Sequence, residues 1–149
     1  MKILFTTFFL FSILLAYSQK LPNKLDERPD GITIHYFDYS DQKNLISSEI
    51  FLGEKLKFRF PAYENYNRID ISQKTTEIEL IEKYLTVNLI ENILECCSLK
   101  NCPDTSKGYF LMIKKGKEIK SAYIDYNFMT SELCGNEELK NIIDSFKNI

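Results

Sequence analysis

Residues 108–128, GYFLMIKKGKEIKSAYIDYNF, constrain the fold more than any other stretch of this chain. Tyr109 to Ile113 is apolar at every position, the pattern of a strand buried on both faces. Lys115-Gly116 supplies a tight turn, because glycine takes the positive φ that such turns require. Ile119 to Tyr126 then returns. A strand followed at once by its return partner builds an antiparallel sheet, with Tyr109–Ile113 placed inside it.

A second hairpin lies upstream in ISSEIFLGEKLKFRFP. Ile50 to Leu52 is one arm, Gly53-Glu54 the turn, and Lys55 to Phe60 the other arm. In the second arm Leu56, Phe58 and Phe60 alternate with Lys55, Lys57 and Arg59. That period reads as one packed face and one basic, solvent-facing strip. Pro61 ends the strand because it has no N–H for the ladder. Before this hairpin, Ile32, Ile34 and Tyr36 alternate with Thr33, His35 and Phe37, which predicts a strand opening at Gly31. A further short strand is placed at Arg68 to Ile71, after the polar connection AYENYN.

Between the hairpins the period changes from two to that of a helix. Thr76 and Glu79 have the spacing of a capping box, so one long helix is predicted from about Glu77 to about Cys97. Ile78, Ile81, Leu85, Leu89, Ile93 and Cys96 form its main apolar stripe, and Leu80, Tyr84, Val87 and Leu94 a weaker one. The C-terminal GNEELKNIIDSFKNI predicts a short helix capped by Asn136, with Leu139, Ile142, Ile143 and Phe146 on one face. Strand, hairpin, long helix, hairpin, short helix is the α+β class: an antiparallel sheet of about five strands with the helices on one face.

The residues that precede this unit differ from it in kind. Residues 1–18 carry Lys2, an uncharged apolar run, and Ala16-Tyr17-Ser18, the three parts of a secretory signal peptide. The apolar run is too short to span a bilayer. Residues 19–30 are polar with two prolines, an irregular lead-in, and residues 31–149 read as a single domain. The expected location is periplasmic or extracellular, with no membrane span once the signal is removed. The net charge of −2 gives no electrostatic case for nucleic acid.

Three of the four cysteines, Cys96, Cys97 and Cys102, stand close together, and Cys134 stands apart. Adjacent cysteines cannot easily ligate one metal tetrahedrally, so the spacing argues against zinc. Their place at a helix C-terminus raises rather than lowers a thiol pKa, which argues against redox chemistry. An even count in an exported chain points to disulfides. The preferred pairing is Cys96–Cys134 with Cys97–Cys102, and the swap, Cys96–Cys102 with Cys97–Cys134, is the alternative.

Motifs for catalysis are absent. There is one histidine, His35, and no nucleophile elbow, phosphate loop or metalloprotease signature. The reading is therefore a non-enzymatic binding domain, inhibitor- or immunity-like, with a protein partner and no cofactor or metal. Tyr36 and Tyr39 at the end of the first strand, Tyr63 and Tyr66 in the polar connection, and Lys57 and Arg59 on the basic strip are the candidate binding residues. A small carboxylate-dependent hydrolase and a structural envelope accessory protein are the competing readings.

Overall fold

The first strand, β1 (Gly31–Asp38), lies between two hairpins and pairs with both. On one side it meets β2 (Ile46–Leu52), which turns into β3 (Lys57–Pro61). The other side meets β5 (Lys107–Lys115), which turns at Gly116 into β6 (Glu118–Asp125). A two-residue strand, β4 (Ile69–Asp70), closes the edge beside β3. Every pairing is antiparallel, and the strand order is β4-β3-β2-β1-β5-β6. The computed structural model describes residues 28–39, 46–61, 68–100, 106–125 and 137–149. Asn136, expected to cap the last helix, lies outside the described residues.

Three helices complete the α+β architecture: α1 (Thr75–Tyr84), α2 (Val87–Lys100) and α3 (Glu137–Asn148). All three pack on one sheet face. Ile34, Ile50, Leu52, Leu111, Ala122 and Ile124 from the strands share a core with Ile78, Ile81, Ile90, Ile93, Leu139, Ile142, Ile143 and Phe146 from the helices. The α3 stripe is buried as its periodicity indicates, and Phe146 meets Tyr109 edge-on at 5.9 Å. The Lys74 ammonium donates to the Asn148 carbonyl and fastens the start of α1 to the end of α3.

The single long helix is in fact two. Leu85 adopts an extended ψ of 90°, and the Thr86 hydroxyl accepts from the Leu89 N–H at 3.2 Å, starting a new helix. Threonine competes for backbone donors in this way, so it caps more readily than it continues a helix. The break lets Leu85, Ile90 and Ile93 all reach the core, while Leu80 and Leu94 on the second stripe stay exposed. Nor does the expected capping box form. The helix starts two residues earlier, at Thr75 after Lys74, with no side-chain cap. Its start is set instead by a turn: Ser72 donates through N–H and hydroxyl to Asp70, and Ile71 N–H donates to Lys57 C=O.

The larger correction concerns β3. Arg59 pairs with Ile50, which pairs with Ile34, and directly opposed residues share a face. Arg59 and Lys57 therefore lie on the helix face, at its margin. Lys57 forms an ion pair with Glu82 of α1, and Arg59 Nε donates to Ser48 Oγ at 3.1 Å. Phe58 and Phe60 point the other way and cluster with Phe51, apart from any helix residue. Alternation shows that a strand has two unlike faces. It does not show which one the helices cover. Leu56, assigned to the packed face, sits in the β2–β3 turn and is 49% exposed.

Ile34 is fully buried at the centre of the sheet. Ile34→Ala should lower the unfolding free energy by about 2–5 kcal/mol in urea titration. Leu56→Ala should change it by less than about 0.5 kcal/mol.

Candidate functional site

The sheet face away from the helices is aromatic. The register places Thr33, His35 and Phe37 of β1 on it, with Glu49 and Phe51 of β2, Phe58 and Phe60 of β3, Phe110 and Met112 of β5, and Tyr123 of β6. It divides into two halves. Over β2 and β3, Phe51, Phe58 and Phe60 are buried, their rings about 5 Å apart, and Arg68 stands 4.9 Å over the Phe58 ring. Over β1, β5 and β6 Thr33, Phe37 and Met112 are buried as well, and the face reaches solvent at Tyr123 and at Tyr39 beyond the end of β1.

There, three rings form a row. Phe37 stacks on Tyr39 at 5.3 Å and on Tyr123 at 5.1 Å, with interplanar angles of 24° and 21°. Phe37 comes from β1 and Tyr123 from β6, with β5 between them. The Phe37 ring spans that gap because the β5 residue opposite it is Gly108. A Cβ at Gly108 would stand 3.2 Å from the ring and 2.2 Å from the Ile124 carbonyl oxygen, so the glycine is a packing requirement. Phe37 is buried, whereas Tyr39 is 50% and Tyr123 39% exposed. The Tyr39 N–H donates to Ser106 C=O, fixing the ring beyond the end of β1. A row of this kind presents rigid apolar area with two phenol groups at its rim.

His35 adjoins the row, edge-on to Phe37 at 6.1 Å. Opposite it on β2 is Glu49, whose carboxylate pairs with Arg28 at 2.5 Å. Burial is the main influence on the imidazole and pushes its pKa down; Glu49 opposes this, and Arg28 adds to it. His35 Nε2 and Thr33 Oγ1 are both buried without a hydrogen-bond partner among the described residues.

The residues singled out from the sequence fall in different places. Tyr39 is in the row. Tyr36 lies on the helix face, its ring 5.1 Å from Tyr109 and its hydroxyl donating to Asp38 at 3.3 Å. Lys57 and Arg59 are on that face too, so the basic strip does not join Tyr39. Tyr63, Tyr66, Cys102 and Cys134 lie outside the described residues, as does the Cys97 side chain. Cys96 is half-buried against the helix-face core and does not carry a free thiol. Phe37, Phe110, His35 and Tyr123 were missed as members of a site. Their signal is the alternation of aromatic residues on the faces opposite Ile34 and Ile124, which becomes one patch only through the β1–β5–β6 register.

A cleft of about 170 Å³ lies at the opposite edge, between the β2–β3 turn and β4, lined in part by Glu54, Lys57, Arg68 and Asp70. The Ser72 hydrogen bonds hold the Asp70 carboxyl below its ordinary pKa, the reverse of what a general acid needs. Among the described residues no cluster of His, Cys, Asp or Glu could hold a metal ion, and no helix is long and apolar enough to cross a membrane. Comparison with family models, curated proteins and solved structures finds no match to this chain.

The fold favours neutral His35, so its folded pKa lies below its unfolded one. The unfolded state then binds more protons on acidification, and this part of the stability is lost as pH falls through the unfolded value of about 6.5. Stability measured in urea between pH 8 and pH 5 should fall more in the native chain than in His35→Gln. Equal slopes would mean that the imidazole titrates as it does in the unfolded chain.

Proposed function

We propose that the protein is an exported, non-enzymatic domain that binds a protein partner through the sheet face away from its helices. The observation that carries this reading is the row Tyr39–Phe37–Tyr123, two exposed tyrosines locked against a buried phenylalanine. Ordered tyrosines bury large area on association at little entropy cost, and interfaces are enriched in them. The stacking holds both rings before any partner arrives, which lowers that cost further. Phe110 and His35 extend the patch, and the Arg28–Glu49 pair borders it with polar groups.

Export is supported by the leader-like residues 1–18 and by cysteine usage. We assign the bridges Cys96–Cys134 and Cys97–Cys102. The first would tie α2 to the segment before α3, and in the chain-entropy model a loop of that size is worth about 4 kcal/mol. Peptide mapping without reduction should recover these two linked pairs from the exported chain. Four alkylatable thiols would overturn the assignment.

The hydrolase reading has less support: of the two carboxylates lining the described cleft, Glu54 and Asp70, Asp70 is held below its ordinary pKa by Ser72, the reverse of what a general acid needs. Binding is tested by quantitative capture from the native envelope extract. The unaltered chain should retain a saturable partner that Tyr39→Ala/Tyr123→Ala binds at least about 30-fold more weakly, the effect of losing a contact hot spot. Equal retention by both proteins, or turnover of a substrate by the purified chain, would contradict the proposal.

A further inference from the structure

The two edges of the sheet are finished differently. Beyond β3 the edge is closed by β4, whose two residues are too short to offer a ladder. At the other edge β6 runs for eight residues, and no strand among the described residues pairs with its outer side. Its register with β5 is continuous from Glu118 to Asp125, so no bulge turns the edge away, and it contains no proline. A charged residue pointing inward is another common guard of an edge. Lys120 has that position, but its ammonium is bonded to Glu91 of α2 at 3.1 Å. Such an edge is a template for another strand.

Exposed apolar residues stand on both sides of it. On the aromatic face is Tyr123, and on the helix face α2 lies over β6. Leu89 and Cys96, on one flank of α2, pack against the core. Glu91, on the other flank, reaches Lys120. Leu94 follows Glu91 by one turn on that same flank and is 45% exposed, so an apolar side chain borders the outer side of β6.

We propose that β6 pairs with β6 of a second copy of this chain, antiparallel about a two-fold axis at Ser121. Directly opposed residues share a face, so a sheet continuous across the seam is centred on a residue and not between two. Centring on Lys120 would oppose two ammonium groups. Within β6 the longest overlaps are centred on Ser121 and Ala122. The Ala122 centre sets Asp125 against Ile119. The Ser121 centre leaves Asp125 outside the overlap and opposes Glu118 to Ile124, Lys120 to Ala122 and Ile119 to Tyr123, with no like charges facing. It forms the aromatic–β-branched pair twice, once on each side of the axis, and such pairs stabilise neighbouring strands. The small Ala122 leaves room for the Lys120–Glu91 pair, which brings both signs of charge to the seam from each copy. Leu94 of each copy flanks the seam on the helix side. Tyr39 takes no part, so the inference stands whether or not the aromatic row meets a different partner.

Sedimentation equilibrium of the purified chain tests the pairing. The native chain should pass from monomer to dimer mass as its concentration rises. Ser121→Lys, which opposes two ammonium groups on the axis, should raise the dissociation constant several-fold. Leu94→Asp should do the same from outside the strand, which guards against misfolding of β6 in the first variant. Ser121→Cys should give a disulfide-linked dimer under mild oxidation, because opposed Cα atoms lie within disulfide reach, and Ile119→Cys should not. A native chain that stays monomeric at every concentration would overturn the proposal. So would a dimer indifferent to both Ser121→Lys and Leu94→Asp, or cross-linking through Ile119→Cys in place of Ser121→Cys.

Discussion

The pairing of β1 with β2 on one edge and β5 on the other is the interaction on which everything else depends. Isolated hairpins are marginal in water, and the β2–β3 and β5–β6 hairpins are no exception in their length or composition. Joined through β1 they become a six-stranded sheet wide enough to seat three helices. At the junction Ile50, Ile34 and Leu111 stand side by side, all fully buried. The same register aligns Phe37 with Gly108 on the reverse side, so one set of hydrogen bonds builds both the core and the aromatic row.

The two faces solve different problems. On the helix side, apolar strand centres meet the inner stripes of the helices, and charge is kept to the margins. Lys57 and Lys120 there reach across to Glu82 and Glu91 on the helices. Such exposed pairs stabilise little, but they orient the layers and keep the rim soluble. On the reverse side no described helix is present, and aromatic rings take over the burial. Rings are broad enough to cover neighbouring strands, as Phe51 covers Gly31 and Gly53 and Phe37 covers Gly108. A layer covered by its own rings can leave a rim exposed, and Tyr39 and Tyr123 are that rim.

Much of the fold was legible because hydrophobic period is local. Both hairpins, the interior position of Tyr109–Ile113 and the buried stripe of α3 follow from residue order alone. The helix break at Leu85-Thr86 had a weak signal in Thr86, which was masked by an apolar stripe running unbroken through it. The orientation of β3 had no local signal at all, since Phe58 and Phe60 satisfy the period equally well on either face. The same limit hid the site. Tyr39 was visible as a tyrosine at a strand end, but Phe37 and Tyr123 become neighbours only through β5, a pairing that bridges most of the chain.

β3 turns its phenylalanines away from the helices and its basic residues toward them. Nuclear Overhauser contacts in the native protein test it most directly. Phe58 ring protons should contact Phe51 and Phe60, and Lys57 methylene protons should contact α1 near Glu82. Contacts from the Phe58 or Phe60 rings to the methyls of Ile78 or Ile81, with Lys57 free of α1, would contradict it.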